Sequence, residues 1–169
     1  SDGEVARWRR TTSAKGVFSD RVGHYTAEGL IPIALGLRAA GFPEAGWLDT
    51  PWPLVGALIS VMVLYNKALN DMVHVSRAYN DLPRLEERAE VAQPHRSLLR
   101  RLRSMARFFP FHRAYHSVEL TLLALVAAVG DAITGDLAVT RLLVVALAVF
   151  GVVTIVGHLA SILSSSRLR

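Results

Sequence analysis

Long apolar runs alternate with shorter polar or basic segments along the chain, and several runs are long enough to form helices that cross a membrane. Four spans are predicted, at residues 16–41, 52–79, 117–133 and 137–163. The last gives the strongest signal, because almost nothing polar interrupts residues 142–156. The pattern therefore predicts an all-α protein, a polytopic transmembrane helix bundle that forms a single membrane domain over residues 1–169.

The second predicted span carries polar residues that lipid would exclude. Its mainly apolar run at 54–65 is too short for a bilayer, which needs about 20 residues, so the crossing must include the polar residues that follow. Those residues share one helical face and are Lys67, Asn70, Asp71 and His74. Ionisable groups at mid-bilayer cost at least about 2.5 to 3.5 kcal/mol each, so they ordinarily face a cavity and serve a function. The alternative is a salt bridge between Lys67 and Asp71 that only fixes helix packing.

The segments outside the spans are polar and mostly basic. Residues 1–15 are interpreted as the end of a preceding helix and a loop, and residues 80–116 as a long loop. Within that loop, apolar residues recur at helical spacing at Leu98, Leu102, Met105 and Phe109. This predicts a basic amphipathic helix, which either lies on an anionic membrane surface or packs on the protein itself. A tight turn is predicted at residues 134–136.

Composition and charge strengthen the membrane interpretation. The chain has 169 residues, of which 51% are hydrophobic and 20% charged, and its net charge is +5. The arginines cluster between apolar spans, which argues against nucleic-acid binding, while the loops at 42–51 and 134–136 contain no Lys or Arg. By the positive-inside rule, we expect a multi-pass protein of the cell membrane whose basic segments face the cytoplasm. The absence of cysteine excludes disulfides and thiolate metal sites.

The start of the chain has the spacing of a phosphate and metal site. Asp2 and Gly3 are followed by Gly16, Asp20 and His24. Carboxylates can hold a divalent cation that shares its ligands with substrate phosphates, and glycines leave room for a ligand to touch the backbone. The last three of these residues occur at i, i+4 and i+8 and so line one helical face, which is a candidate active site. Taken singly, both carboxylates could equally be ordinary solvated side chains.

The pattern DGxxARx8GxxxDxxxH at residues 2–24 resembles the signature of the CDP-alcohol phosphotransferases, DxxDGxxARx8GxxxDxxxD. Six fixed positions match, and two differ. The first aspartate of the family would lie upstream of Ser1, three residues before Asp2, and the last is replaced by His24. Members of this family are integral membrane enzymes with six spans, so two further spans are expected before or overlapping the start of this sequence.

The resemblance implies an enzyme that moves a phosphatidyl or other phospho-alcohol group from a CDP-linked donor, with CDP-diacylglycerol expected, to an alcohol acceptor. CMP is released, and the reaction belongs to phospholipid synthesis. The resemblance also implies a homodimer. It assigns Asp2 and Asp20 to Mg²⁺ or Mn²⁺ held against the donor diphosphate. The residues that it places beside the donor are Asp2, Gly3, Ala6, Arg7 and Gly16.

His24 is the departure with chemical consequences. The family aspartate at this position helps to deprotonate the acceptor hydroxyl, so the catalytic residues are expected to be Asp20 and His24. Histidine suits general-base work near neutral pH. An imidazole also weakens a site built for two dications, and a catalytically silent homologue that acts as a scaffold or nucleotide-lipid binder is the alternative. Glu28, one turn further on, is a possible substitute carboxylate.

The acceptor site is expected in the second span and the loop after it. Family members hold the acceptor head group with basic residues, and the matching candidates here are Lys67, Arg77 and Arg113. The identity of the acceptor alcohol stays open at this point. A transporter that uses the polar face of the second span is a further alternative. His158, in the last span, is expected to be a hydrogen-bonded packing residue.

Overall fold

A computed structural model of the protein describes residues 13–83 and 115–164. Within these ranges there are four long α-helices and no strand; residues 41–51 connect the first two helices, and a turn at 135–137 connects the last two. The helices are α1 (Ala14–Ala40), α2 (Trp52–Tyr79), α3 (Ser117–Thr134) and α4 (Ala138–Ser164), with a short 3₁₀ helix at Trp47–Asp49. The predicted all-α fold is confirmed. The predictions for residues 1–12 and for the amphipathic helix at 98–109 lie outside the described residues.

Three of the four helices, α2, α3 and α4, are long and apolar enough to cross a membrane. This indicates a membrane protein. The predicted span at 16–41 forms a helix of the expected length, but its membrane crossing is not confirmed. The physical reason lies in the first half of α1, where charged and polar side chains lower the mean hydropathy below that of a spanning segment.

Local sequence signals explain where α1 begins and ends. The Ser13 side-chain oxygen accepts a hydrogen bond from the Gly16 backbone N–H at 3.1 Å, which caps the first turn. At the other end Gly41 adopts the left-handed conformation with φ 85°, and its N–H bonds back to the last turn.

The turn between α3 and α4 was predicted correctly. Gly135 ends α3 in the left-handed conformation with φ 77°. Asp136 then accepts hydrogen bonds from the Ala138 N–H at 3.0 Å and the Thr134 hydroxyl at 2.8 Å. These two donors hold the pKa of Asp136 below its usual value. The carboxylate therefore stays ionised at neutral pH and fixes the start of α4.

The bundle has two distinct ends. We call the end with the 41–51 connection and the 135–137 turn the loop end, and the opposite end, where α1 begins and α2 and α4 finish, the motif end. Between them lies an apolar core to which all four helices contribute Leu35, Ile59, Leu120, Val144 and Leu147.

A buried polar network holds the loop end together. Asp131 of α3 is 4% exposed, and its carboxylate accepts bonds from the Arg38 guanidinium at 3.1 Å and from the Thr140 hydroxyl. It also accepts the backbone N–H groups of Val139 and Thr140, both at 3.0 Å. Arg141 of α4 donates to the Ala39 carbonyl of α1 at 3.0 Å. The network thus joins α1, α3 and α4, and the buried charge of Asp131 is fully compensated.

The closest contact between α1 and α2 is made by two glycines. A Cβ atom placed on Gly36 would lie 2.6 Å from the Trp52 carbonyl oxygen and 2.8 Å from the Gly56 Cα atom. A Cβ atom on Gly56 would lie 2.6 Å from the Pro32 carbonyl oxygen. Only glycine allows two helix backbones to approach so closely, a common device in membrane bundles.

We expect Gly36→Ala to lower the free energy of unfolding by about 2 kcal/mol, because the added methyl group meets backbone atoms that cannot move away individually. Gly157→Ala in α4 is the matched control, since a Cβ atom there meets nothing within 4 Å. The control should be neutral or slightly stabilising because alanine favours the helix by about 1 kcal/mol. Denaturant unfolding in detergent measures both. Equal stability of the two variants would contradict the glycine contact.

Candidate functional site

The signature face of α1 lies at the motif end and is open to solvent. The Asp20 carboxylate and the His24 ring approach to 3.6 Å between Oδ1 and Nε2, and their side chains are 64% and 51% exposed. The other ring nitrogen of His24 lies 3.4 Å from the Ser117 hydroxyl at the start of α3. Gly16, one turn before Asp20, is exposed on the same face. The structure therefore brings together the described half of the signature.

The other half of the predicted donor site falls outside the described residues. Asp2, Gly3, Ala6 and Arg7 belong to it, and so does the acceptor candidate Arg113. Within the parts of the chain that the structure describes, no three histidine, aspartate or glutamate side chains converge as a metal-binding group. Asp20 and His24 alone do not constitute a site for a hard cation, which prefers several oxygen ligands. The metal pair at Asp2 and Asp20 stays a prediction.

Behind the signature face, a buried ion pair joins α1 to α2. The Glu28 carboxylate, 2% exposed, lies with Oε2 at 2.7 Å from Nζ of Lys67, which is 21% exposed. The Lys67 ammonium also lies 4.8 Å from the centre of the Tyr25 ring, within cation–π range. Lys67 is therefore held in place by two residues of α1.

The predicted alternative, a salt bridge between Lys67 and Asp71, is wrong. Asp71 also pairs with α1, accepting from the Arg21 guanidinium at 2.9 Å and the Tyr25 hydroxyl at 2.7 Å. The reason is that the polar face of α1 packs along the polar face of α2, so partners across the interface displace the intrahelical pair. The spacing of Lys67 and Asp71 predicts a pair within one helix and carries no information about partners on another helix. The sequence does contain a signal for pairs between helices, because α1 and α2 each have charged residues along one face.

A cavity of about 430 Å³ lies beside this ion pair, between α1, α2, α4 and the residues before α3. Its polar lining consists of Glu28, Asn66, Lys67, Asn70, His116, Thr154, His158 and Ser161, with Tyr115 at one wall. Of the four polar residues of α2 that were expected to face a cavity, Lys67 and Asn70 line this one, which confirms the expectation for them. Asp71 and His74 are not in its lining, because Asp71 bonds to α1 and His74 lies on an exposed side of α2. The predicted packing role of His158 is also confirmed, since its Nδ1 lies 2.7 Å from Asn66 Oδ1.

Tyr115 fixes one wall of the cavity. It is buried, and its hydroxyl donates to the Leu147 carbonyl of α4 at 2.6 Å. Burial raises the pKa of Tyr115 to about 12, so the side chain stays protonated and keeps donating at neutral pH.

One buried oxygen in this region lacks a hydrogen-bond donor among the described residues. It is Oε1 of Glu28, the oxygen that Lys67 does not bind. Nδ1 of His24 lies 3.9 Å from it, beyond hydrogen-bond distance. Glu28 thus belongs both to the cavity wall and to the row of residues that continues the signature face.

Arg77 has a different environment from the other acceptor candidate within the described ranges, Lys67. It is 7% exposed in the last turn of α2 and does not line the cavity. Its guanidinium donates from Nε and Nη2 to the Pro83 carbonyl at 3.0 and 2.8 Å. In these contacts Arg77 fixes the chain that leaves α2.

Comparison of the chain with protein-family models, with curated proteins and with solved structures gave no match. The resemblance to the CDP-alcohol phosphotransferases therefore rests on the signature residues alone.

We expect Lys67→Met to lower the free energy of unfolding by about 3 kcal/mol, because it leaves the Glu28 carboxylate buried without a counter-charge. The double variant Glu28→Gln/Lys67→Met removes both charges and should be clearly more stable than Lys67→Met. Unfolding of the two single variants and the double variant completes the thermodynamic cycle. Losses that simply add would mean that the two side chains do not stabilise each other.

Proposed function

We propose that this chain is a membrane phosphotransferase of the CDP-alcohol type. It would move a phosphatidyl or other phospho-alcohol group from a CDP-linked donor, with CDP-diacylglycerol expected, to an alcohol, and release CMP. The observation that carries the proposal is the exposed pair of Asp20 and His24 on the signature face, one turn from a polar cavity that shares Glu28 with it. Such an arrangement offers one place for a nucleotide-linked phosphate and an adjacent place for an acceptor.

In the proposed reaction His24 acts as general base. It takes the proton from an acceptor hydroxyl, whose oxygen forms a bond to the β-phosphorus of the donor. The bond between that phosphorus and the bridging oxygen breaks, and the bridging oxygen leaves with CMP. The ring of His24 is accessible for this task and is flanked by Asp20 and the Ser117 hydroxyl. A positioned general base contributes about 10²- to 10⁴-fold to such a rate.

The donor diphosphate would be held at Asp2 and Asp20 together with Mg²⁺ or Mn²⁺, and the nucleotide beside Gly3, Ala6, Arg7 and Gly16. A bound dication supplies charge neutralisation for the leaving group. The residues within the described ranges contribute one carboxylate to this site, so metal binding depends on Asp2. We propose a homodimer by the same resemblance.

We further propose a cell-membrane location with the motif end in the cytoplasm. The support is the charge of the loops, since the connections at 41–51 and 135–137 have no Lys or Arg while the segment at 84–114 has many arginines. A nucleotide-linked donor made in the cytoplasm would then reach Asp20 and His24 directly.

Cysteine labelling tests the orientation, because the natural chain contains no cysteine. Glu44→Cys at the loop end should react with a membrane-impermeant maleimide in intact cells. Ser164→Cys at the motif end should react only after the membrane is broken. Labelling of Ser164→Cys in intact cells would reverse the proposed topology.

Release of CMP from CDP-diacylglycerol, measured with purified protein in lipid nanodiscs containing Mg²⁺ and alcohol acceptors, tests the activity. We expect His24→Ala to reduce the rate by about 100-fold or more, because the general base is lost. His24→Asp restores the residue of the family and should retain activity. His74→Ala is the control: His74 is exposed on α2, does not line the cavity, and its loss should leave the rate unchanged.

Two outcomes would contradict the proposed function. Absence of CMP release from a folded protein with any acceptor would favour the silent homologue. Equal losses in His24→Ala and His74→Ala would remove His24 from the catalytic role.

A further inference from the structure

We infer that the cavity between α1, α2 and α4 binds a small, uncharged polyhydroxyl compound, with the unbonded oxygen of Glu28 accepting one of its hydroxyl groups. The inference concerns binding and stands on the cavity itself. The further step, that the bound compound is the acceptor alcohol, also rests on the proposed function.

The size of the cavity selects small ligands. Its volume of about 430 Å³ lies at the lower end of the range of about 300 to 1,000 Å³ typical of small-molecule pockets. Its lining along α2 and α4 is mixed: Met62, Val63 and Ile155 stand beside amides and hydroxyls, which an acyl chain would leave without partners. A compact polar molecule is therefore favoured over a lipid tail.

Glu28 supplies the most specific signal. Oε2 of its buried carboxylate is bound by Lys67, whereas Oε1 has no donor within the described ranges although the residue is 1% exposed. Buried carboxylate oxygens ordinarily accept hydrogen bonds, and leaving one unbonded is costly. Oε1 is covered by protein atoms in this structure, so a ligand hydroxyl in the cavity would provide the missing donor once Glu28 or a neighbouring side chain turns to expose it.

Charge decides between a neutral ligand and an ion. The ammonium of Lys67 is matched by Glu28 at 2.7 Å, so the pair contributes no net charge to the cavity. A phosphate placed there would meet the unbonded Oε1 of Glu28, and like charges repel. The remaining polar lining consists of amides, hydroxyls and two imidazoles, all of which can both donate and accept when uncharged, as a polyol requires. These groups belong to Asn66, Asn70, Thr154, Ser161, His116 and His158.

This inference changes the role predicted for Lys67. As a binder of an acceptor phosphate, Lys67 would have to leave its carboxylate partner. As half of a neutral pair, it instead positions Glu28. The adjacency of Glu28 Oε1 and the His24 ring, 3.9 Å apart, would let one hydroxyl of the ligand bond Glu28 while a neighbouring hydroxyl reaches the proposed base.

Equilibrium binding of radiolabelled glycerol, erythritol and myo-inositol to the purified protein in nanodiscs tests the site, with no CDP-linked donor present. We expect at least one of the three to bind, and an excess of inorganic phosphate not to displace it. Glu28→Gln should weaken binding by about 10-fold or more, the usual effect of losing a hydrogen bond to a charged group. The same substitution should also remove much of the discrimination against phosphate.

Two threonine variants test the site in case Glu28→Gln does not fold: Thr154→Val changes the cavity wall, and Thr121→Val is its matched control. Thr154→Val removes a hydroxyl from the cavity wall at constant shape and should weaken binding by about 2- to 10-fold. Thr121→Val makes the same change on an exposed face of α3, outside the lining, and should have no effect. Absence of polyol binding, efficient displacement by phosphate, or equal effects of the two threonine variants would overturn the inference.

The experiment separates this inference from the proposed function. Polyol binding without CMP release would keep the site and remove its role as the acceptor pocket. CMP release that is supported only by a phosphorylated acceptor, with no polyol binding, would keep the enzyme and overturn the ligand class.

Discussion

The ion pair between Glu28 and Lys67 determines how α1 lies against the rest of the bundle. The first half of α1 is too polar to face lipid, so its charged side must pack against another polar surface. α2 offers that surface, and Lys67 and Asp71 both find partners on α1 rather than on their own helix. At the opposite end of the same interface, Gly36 and Gly56 bring the two backbones into contact. Charge pairing therefore sets the register of α1 and α2, and close backbone packing fixes their separation.

The two ends of the bundle differ in how completely their buried carboxylates are hydrogen-bonded. At the loop end, both oxygens of Asp131 are bonded by groups from α1 and α4, and nothing is left for a ligand. At the motif end, one carboxylate oxygen of Glu28, a residue of the cavity wall, has no hydrogen-bond donor among the described residues. A fully satisfied network makes one end rigid. An incompletely satisfied one indicates the end where a ligand can complete the structure, and Gly16, Asp20 and His24 of the signature lie at that end.

Periodicity and hydropathy predicted the helices, the turn at 134–136 and the position of Lys67 and Asn70 at a cavity, because these depend on one segment at a time. They also placed Asp71 and His74 at a cavity, but its lining does not include these two residues. They did not predict that Glu28 would pair with Lys67, since periodicity assigns a residue to a face and not to a partner on another helix. The same limit explains Arg77, whose contact with the Pro83 carbonyl depends on the path of the chain after α2. The span at 16–41 was predicted from its apolar second half. A helix that crosses a membrane must be apolar over its whole crossing length, and the polar first half of α1 lowers the mean hydropathy too far for that.

The exposure of α1 along its first turns has a consequence for the surrounding lipid. Residues 13–24 are all exposed, and the remaining part of the helix, residues 25–40, is about 24 Å long at about 1.5 Å per residue. A hydrocarbon layer is about 30 Å thick, so α1, which is not among the three helices apolar enough to span a membrane, would be hydrophobically mismatched to an ordinary bilayer if it were embedded along this part. Such mismatch is relieved by local thinning, which draws head groups and water inward along α1. Under the proposed function, His24 would then lie at the depth where a lipid-linked phosphate and an aqueous alcohol meet.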